Sequence, residues 1–197
     1  ITMGVNFPNV LVVHSGTGIK TFAEYIAYAK KNPKKLDYAS TGPGSASHLA
    51  GELLDDMAGI DTVHVPYKGG APQMTDLLGG QLDAAFIDVG NLRAQIKSDK
   101  IKLIAVTGDE RLKILPDVRT LTEMGYTDFE PYPFFALYLP AGTPQAIVDK
   151  LGEETSRSVL SPANQLKIEE LGLQTSGETG KAFKDTFTRD YDTWGKV

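Results

Sequence analysis

The chain has no cysteine. That excludes disulfides, thiolate metal sites and cysteine nucleophiles in one step. Histidines are few, only His14, His48 and His64, and none stands at HxxxH or HxH spacing, so neither a metal site nor any other cofactor is expected. No run approaches the roughly 18 consecutive apolar residues of a membrane-spanning helix, so no direct membrane insertion is expected. Basic residues are also short, with 20 Lys and Arg against 25 Asp and Glu and a formal net charge of -5. A nucleic-acid partner would need a basic, clustered footprint, and an anionic membrane surface would repel this balance. A small anionic ligand is not excluded, because a local site overrides a weak global charge. No leader-like segment precedes the first strand-like run, and the chain starts at Ile1 without methionine. We expect a processed or truncated N-terminus.

What is present suits a folded domain. The 197 residues are 41% hydrophobic, enough for one sizeable domain or one domain and part of another. Residues 10–13 form a short β-branched apolar run, read as a buried strand. Thr21 and Glu24 have capping-box spacing ahead of a helix that stops before Pro33. Further strands are read at 36–40, 62–65, 84–87, 101–106 and 134–139, and helices at 47–57, 71–78 and 89–98. Thr120 and Glu123 make a second capping box, stopped by Gly125. Thr143 is read as an N-cap with Pro144 at N1, and Ser161-Pro162 repeats the device. A final helix covers about 181–194. Strand and helix alternate over short connections, which implies a mainly parallel sheet with flanking helices, an α/β fold. The tail beyond 140 reads as helical, with no sheet of its own to cover. Its stripe of Phe183, Phe187, Tyr191 and Trp194 is read as a packing face.

The segment 40–48, STGPGSASH, joins a strand end to a helix start. In open α/β sheets ligands sit outside the carboxyl ends of strands. A helix start offers unpaired N–H groups and partial positive charge. Gly42 and Gly44 allow close backbone approach, and Thr41, Ser45 and Ser47 add hydroxyls. The segment therefore reads either as an oxyanion cradle or as a strand–helix turn capped by Ser. It lacks the Lys-Ser/Thr ending of a phosphate loop, and there is no G-x-S-x-G elbow for a hydrolase. His48 either joins the site or packs near the helix start.

With these residues in view, the chain resembles the extracytoplasmic solute receptors of tripartite tricarboxylate transporters, the Bug or TctC-type family. The resemblance rests on residues 38–53 (YASTGPGSASHLAGEL), 63–72 (VHVPYKGGAP), 76–81 (DLLGGQ), 115–120 (LPDVRT), 139–144 (LPAGTP) and 194–197 (WGKV), in order along nearly the whole chain. It implies a periplasmic binding protein-like fold of type II, with residues 9–133 as a complete second domain. Residues 134–197 would be a crossing strand and helices belonging to an incomplete first domain. The missing part would hold a signal peptide, and the protein would be periplasmic. The resemblance further implies a receptor, not an enzyme, which passes a small organic carboxylate to membrane transporter subunits. Thr41, Gly42, Gly44, Ser45, Ala46, Ser47 and His48 would hold the ligand carboxylate. Asp88 would line the site or cap a helix, and Phe134 would wall the pocket or pack. Lys68 reads as a cation for a second carboxylate or as part of a turn. A chain lacking half its clamp is expected to self-associate through exposed faces. The alternative is a ligand-sensing effector domain of a regulator, which a preceding helix-turn-helix would mark.

Overall fold

Apolar strands alternating with capped helices set the architecture. In chain order the elements are β1 (Thr2–Asn6), β2 (Asn9–His14), α1 (Phe22–Lys31), β3 (Asp37–Ser40), α2 (Ala46–Ala58), β4 (Val63–Pro66), α3 (Gly70–Leu78), β5 (Ala84–Asp88), α4 (Val89–Leu92), β6 (Ile101–Val106), β7 (Phe134–Leu137), α5 (Gln145–Val159), α6 (Pro162–Glu170), β8 (Gln174–Thr179) and α7 (Gly180–Trp194). The computed structural model describes residues 1–127, 129 and 133–194, with Thr193 and Trp194 as backbone alone. Residues 195–197 and the Trp194 ring therefore lie outside the described residues. The chain divides into a unit of Ile1–Phe7 with Pro133–Val197, and a larger unit, Pro8–Tyr132.

The larger unit carries a five-stranded sheet in the order β4-β3-β5-β2-β6. Strand β3 is parallel to β4 and β5, whereas β2 runs against both β5 and β6. Four strands thus share one direction and β2 is reversed among them. Alternation along β2 explains its unbroken apolar sequence. Val10 and Val12 enter one buried cluster with Met74, Leu77, Ala85 and Ile87, while Leu11 and Val13 enter another with Tyr25, Tyr38, Leu54 and Phe86. Both sheet faces are covered, so positions 10–13 leave no place for a polar side chain.

Local signals account for most helix ends. Thr21 and Glu24 form the reciprocal capping box, and α1 stops at Lys31. Thr120 and Glu123 also bond reciprocally, but they open a short 3-10 turn, Thr122–Met124. The expected 89–98 helix is shorter, with α4 giving way to a 3-10 turn at Arg93–Gln95. Thr143 does not cap α5: its hydroxyl donates to Pro140 O, and Pro144 occupies the N-cap.

The smaller unit corrects the reading of a tail without a sheet. It contains a three-stranded antiparallel sheet, β7-β1-β8, with β1 in the middle. Neither TMGVN nor QTSGET has an apolar run; the strands are joined by backbone pairing, with Thr2 and Met3 buried. Thr2 donates to Gly152 O at 3.4 Å, tying β1 to α5. Of the tail stripe, Phe183 is buried against Phe134 and Tyr138, whereas Phe187 and Tyr191 are exposed.

One close contact positions the head of α2. Gly51 faces the Tyr38 ring so closely that a β-carbon there would overlap it, and Tyr38 itself is 1% exposed. Gly51→Ala is therefore expected to destabilise the fold by about 1–3 kcal/mol through overpacking, measured by denaturant unfolding. Unchanged stability would mean that α2 can lift off β3 freely.

Candidate functional site

Strand β3 ends at Ser40 and α2 begins at Ala46, so the 40–48 loop stands at the carboxyl edge of the parallel strands. Gly42 and Gly44 have φ of 129° and 73°, a region that favours glycine. Ser45 caps α2, its Oγ accepting from His48 N–H at 3.3 Å. The capping alternative is thus realised, and it does not exclude an anion site.

Nearly every polar group of the loop is bonded within the protein. Thr41 N–H donates to Ser47 Oγ at 3.0 Å, Gly42 N–H to Ser40 Oγ at 3.1 Å, and Ser45 N–H to Gly42 O at 3.1 Å. Gly44 N–H donates to His48 Nδ1 at 3.1 Å. Three hydroxyls stand in series, with Thr41 Oγ1 to Ser47 Oγ and Ser47 Oγ to Ser45 Oγ both 3.1 Å, and Ser45 Oγ donates to Gly42 O at 2.7 Å. One proton arrangement fills all these contacts: Thr41 gives to Ser47, Ser47 to Ser45, and Ser45 to the carbonyl. Ser47 is buried, 3% exposed. The hydroxyls therefore build the loop and are not spare donors. The amides of Ala46 and Ser47, in the first turn of α2, have no hydrogen-bond partner among the described residues. They are the groups left to meet an anion.

A second tier supports the loop, and sequence reasoning missed it. Ser40 Oγ lies 2.6 Å from His64 Nε2. The His64 ring stacks on Tyr38 and lies 4.0 Å, centroid to centroid, from the His48 ring. Tyr38 OH donates to Glu52 Oε1 at 2.6 Å, with His48 O 3.3 Å from the same hydroxyl, and Glu52 Oε1 is 3.6 Å from His48 Nε2. Burial, then the neighbouring His48, lower the His64 imidazole below its ordinary value, with Glu52 acting the other way. Burial, then the bond to Glu52, push the Tyr38 phenol far up. Two signals could have found this tier: Glu52 follows His48 by four residues, one helical turn, and alternation puts His64 and Tyr38 side by side in register.

Gln73, fully buried on α3, fastens the strands beneath. Its Nε2 donates to Ala39 O at 2.9 Å and to Phe86 O at 3.0 Å, joining the ends of β3 and β5. Asp88 terminates β5 and caps α4: Oδ1 accepts from Asn91 N–H and Oδ2 from Asn91 Nδ2. Lys68 is exposed. Phe134 belongs to the smaller unit, where its ring meets Phe183 edge-on at 5.8 Å. Two surface clefts of about 570 and 430 Å³ share Leu103, Asp117 and Val118 and include none of the loop residues. Among the described residues no group of three or more His, Asp or Glu could hold a metal ion.

Comparison with known proteins bears on what this loop serves. A UPF0065 protein from the TAR-I ttuE-ttuC' intergenic region of Agrobacterium vitis is 38% identical over 193 residues, 96% of this chain and 56% of that protein. The structure of R. palustris Rpa4515 with adipate superposes with a TM-score of 0.88 at 28% identity, covering 100% of this chain and 65% of that one. The periplasmic binding protein BugD gives 0.85 at 33% identity, covering 100% and 66%. The chain thus spans a little over half the length of the curated relatives it matches first, 59% and 56%, and the α/β fold is that of periplasmic binding proteins. Residues 1–190 match the family described as tripartite tricarboxylate transporter family receptor, and the chain belongs to that family.

Proposed function

We propose that the whole protein is a periplasmic receptor that binds a small organic carboxylate at the 40–48 loop and delivers it to membrane subunits of a tripartite transporter. The observation that carries the reading is the pair of unpartnered amides, Ala46 and Ser47, at the head of α2. Around them the amides of Thr41, Gly42, Gly44, Ser45 and His48 are already bonded. Two parallel N–H donors at a helix start suit the two oxygens of a carboxylate, with the helix dipole adding favourable charge. Thr41, Gly42, Gly44, Ser45 and His48 hold that pair in place. Asp88, whose carboxylate caps α4, accepts a further hydrogen bond from a hydroxyl or amino group of the ligand. The packing of Phe134 on Phe183 favours a structural role for that ring.

The family and the structural neighbours are solute receptors and not enzymes, and the adipate bound by the R. palustris neighbour supports a dicarboxylate as the class to try first. The larger unit serves as the receptor's second domain, and the smaller unit is part of its first. In support of the latter, exposed apolar side chains gather in the smaller unit, among them Phe135, Leu166, Leu171 and Tyr191.

Calorimetry of the whole protein with adipate and other small carboxylates, beside their neutral diesters, tests the reading. Carboxylates are expected to bind and the diesters to lose at least about a hundredfold, the worth of charge-assisted hydrogen bonds. Equal binding of the diesters would overturn it. Ser47→Ala removes the acceptor of Thr41 N–H and breaks the hydroxyl series, so affinity should fall about tenfold to a hundredfold. An unchanged dissociation constant for a folded Ser47→Ala variant would remove the loop from the site.

A further inference from the structure

His48 faces two demands that one protonation state cannot meet. Its Nδ1 accepts from Gly44 N–H at 3.1 Å, which requires that nitrogen to carry no proton. Its Nε2 faces Glu52 Oε1 at 3.6 Å, a contact that is strongest when the ring is charged. Neutral, His48 is the Nε2–H tautomer and keeps the Gly44 amide for itself. Charged, it carries a proton on Nδ1, sets N–H against N–H, and must let Gly44 go.

The surroundings favour the second state when an anion arrives. Glu52 is oriented by Tyr38 OH at 2.6 Å, so the carboxylate is in place to hold the charged ring. His64, from β4, stands 4.0 Å away, centroid to centroid, and two adjacent cationic rings repel. Burial and the proximity of His48 lower the His64 imidazole, so of the two rings His64 is the one held neutral. Among the described residues, Glu52 from α2, Tyr38 from β3 and His64 from β4 are the titratable groups that face His48. A proton on His48 would place positive charge beside the head of α2 and release a third amide, Gly44, next to those of Ala46 and Ser47.

We propose that His48 is a proton-linked positioning residue of the loop: ligand binding draws a proton on to Nδ1, which frees the Gly44 amide for the ligand. This rests on the reading of the loop as a carboxylate site. It makes affinity rise as pH falls through the titration of His48, and it makes binding take up protons.

The tests have a ligand-free arm and a ligand arm, both on the whole protein. In the first, imidazole ¹⁵N resonances and Gly44 amide exchange are followed with pH. Neutral His48 is expected as the Nε2–H tautomer, and Gly44 protection should drop by about tenfold as His48 gains its proton, the order expected for one lost hydrogen bond. An Nδ1–H tautomer, or Gly44 protection that ignores the titration, overturns the proposal. In the second arm, adipate is titrated in buffers of different ionisation enthalpy. Wild type should take up protons and His48→Asn, whose Oδ1 keeps an acceptor for Gly44, should not. Equal uptake by both overturns it. The expected ligand-free result with no heat from any small carboxylate would uphold the His48–Gly44 coupling and count against the carboxylate reading instead.

Discussion

The contact between the Tyr38 ring and the bare backbone of Gly51 is the constraint on which the site depends. It lets α2 lie directly on β3, and so decides where the first turn of that helix stands relative to the strand end. The same ring does three other things. Its face stacks on His64, its edge meets Phe86, and its hydroxyl reaches both Glu52 and His48 O. A large aromatic with a polar tip can anchor core and network together. Here the core end is buried in one sheet face and the polar end supports the loop.

From that anchor the polar organisation proceeds outward in tiers. Gln73 ties the ends of β3 and β5. His64 holds Ser40, and Ser40 holds Gly42. The hydroxyls of Thr41, Ser47 and Ser45 then close the loop on Gly42 O. Buried networks of this kind are costly when partly satisfied and rigid when complete. The bonding of the other loop amides is also what singles out those of Ala46 and Ser47, because the loop has no internal use for them.

Much of this was legible in the sequence, and the exceptions have physical causes. The strand at 10–13 and the box at Thr21 and Glu24 carry strong local signals, and the structure has both. The 40–48 loop could be located from its glycines and hydroxyls, but not the use of those hydroxyls, because donor and acceptor roles depend on which neighbours fold over them. Strand β8 was illegible because QTSGET holds no apolar side chain, and β1 because its five residues offer only Met3 and Val5. Their pairing joins Thr2–Asn6 to Gln174–Thr179, a separation no local window spans. Strand–helix alternation gave the α/β class, and the family resemblance added the type II binding-protein architecture. Residue pattern alone would have left the direction of β2 unassigned.

The hydroxyl series has a consequence for how this loop can vary. Each of Thr41, Ser47 and Ser45 is both the support of one neighbour and the dependent of another. Removing one leaves a buried group of the next without its partner, whereas replacing several together can restore balance. Energies at such positions do not add. The three sites are therefore epistatic: mutational drift at one narrows what the others tolerate, and the loop is expected to diverge in coordinated steps, if it diverges at all.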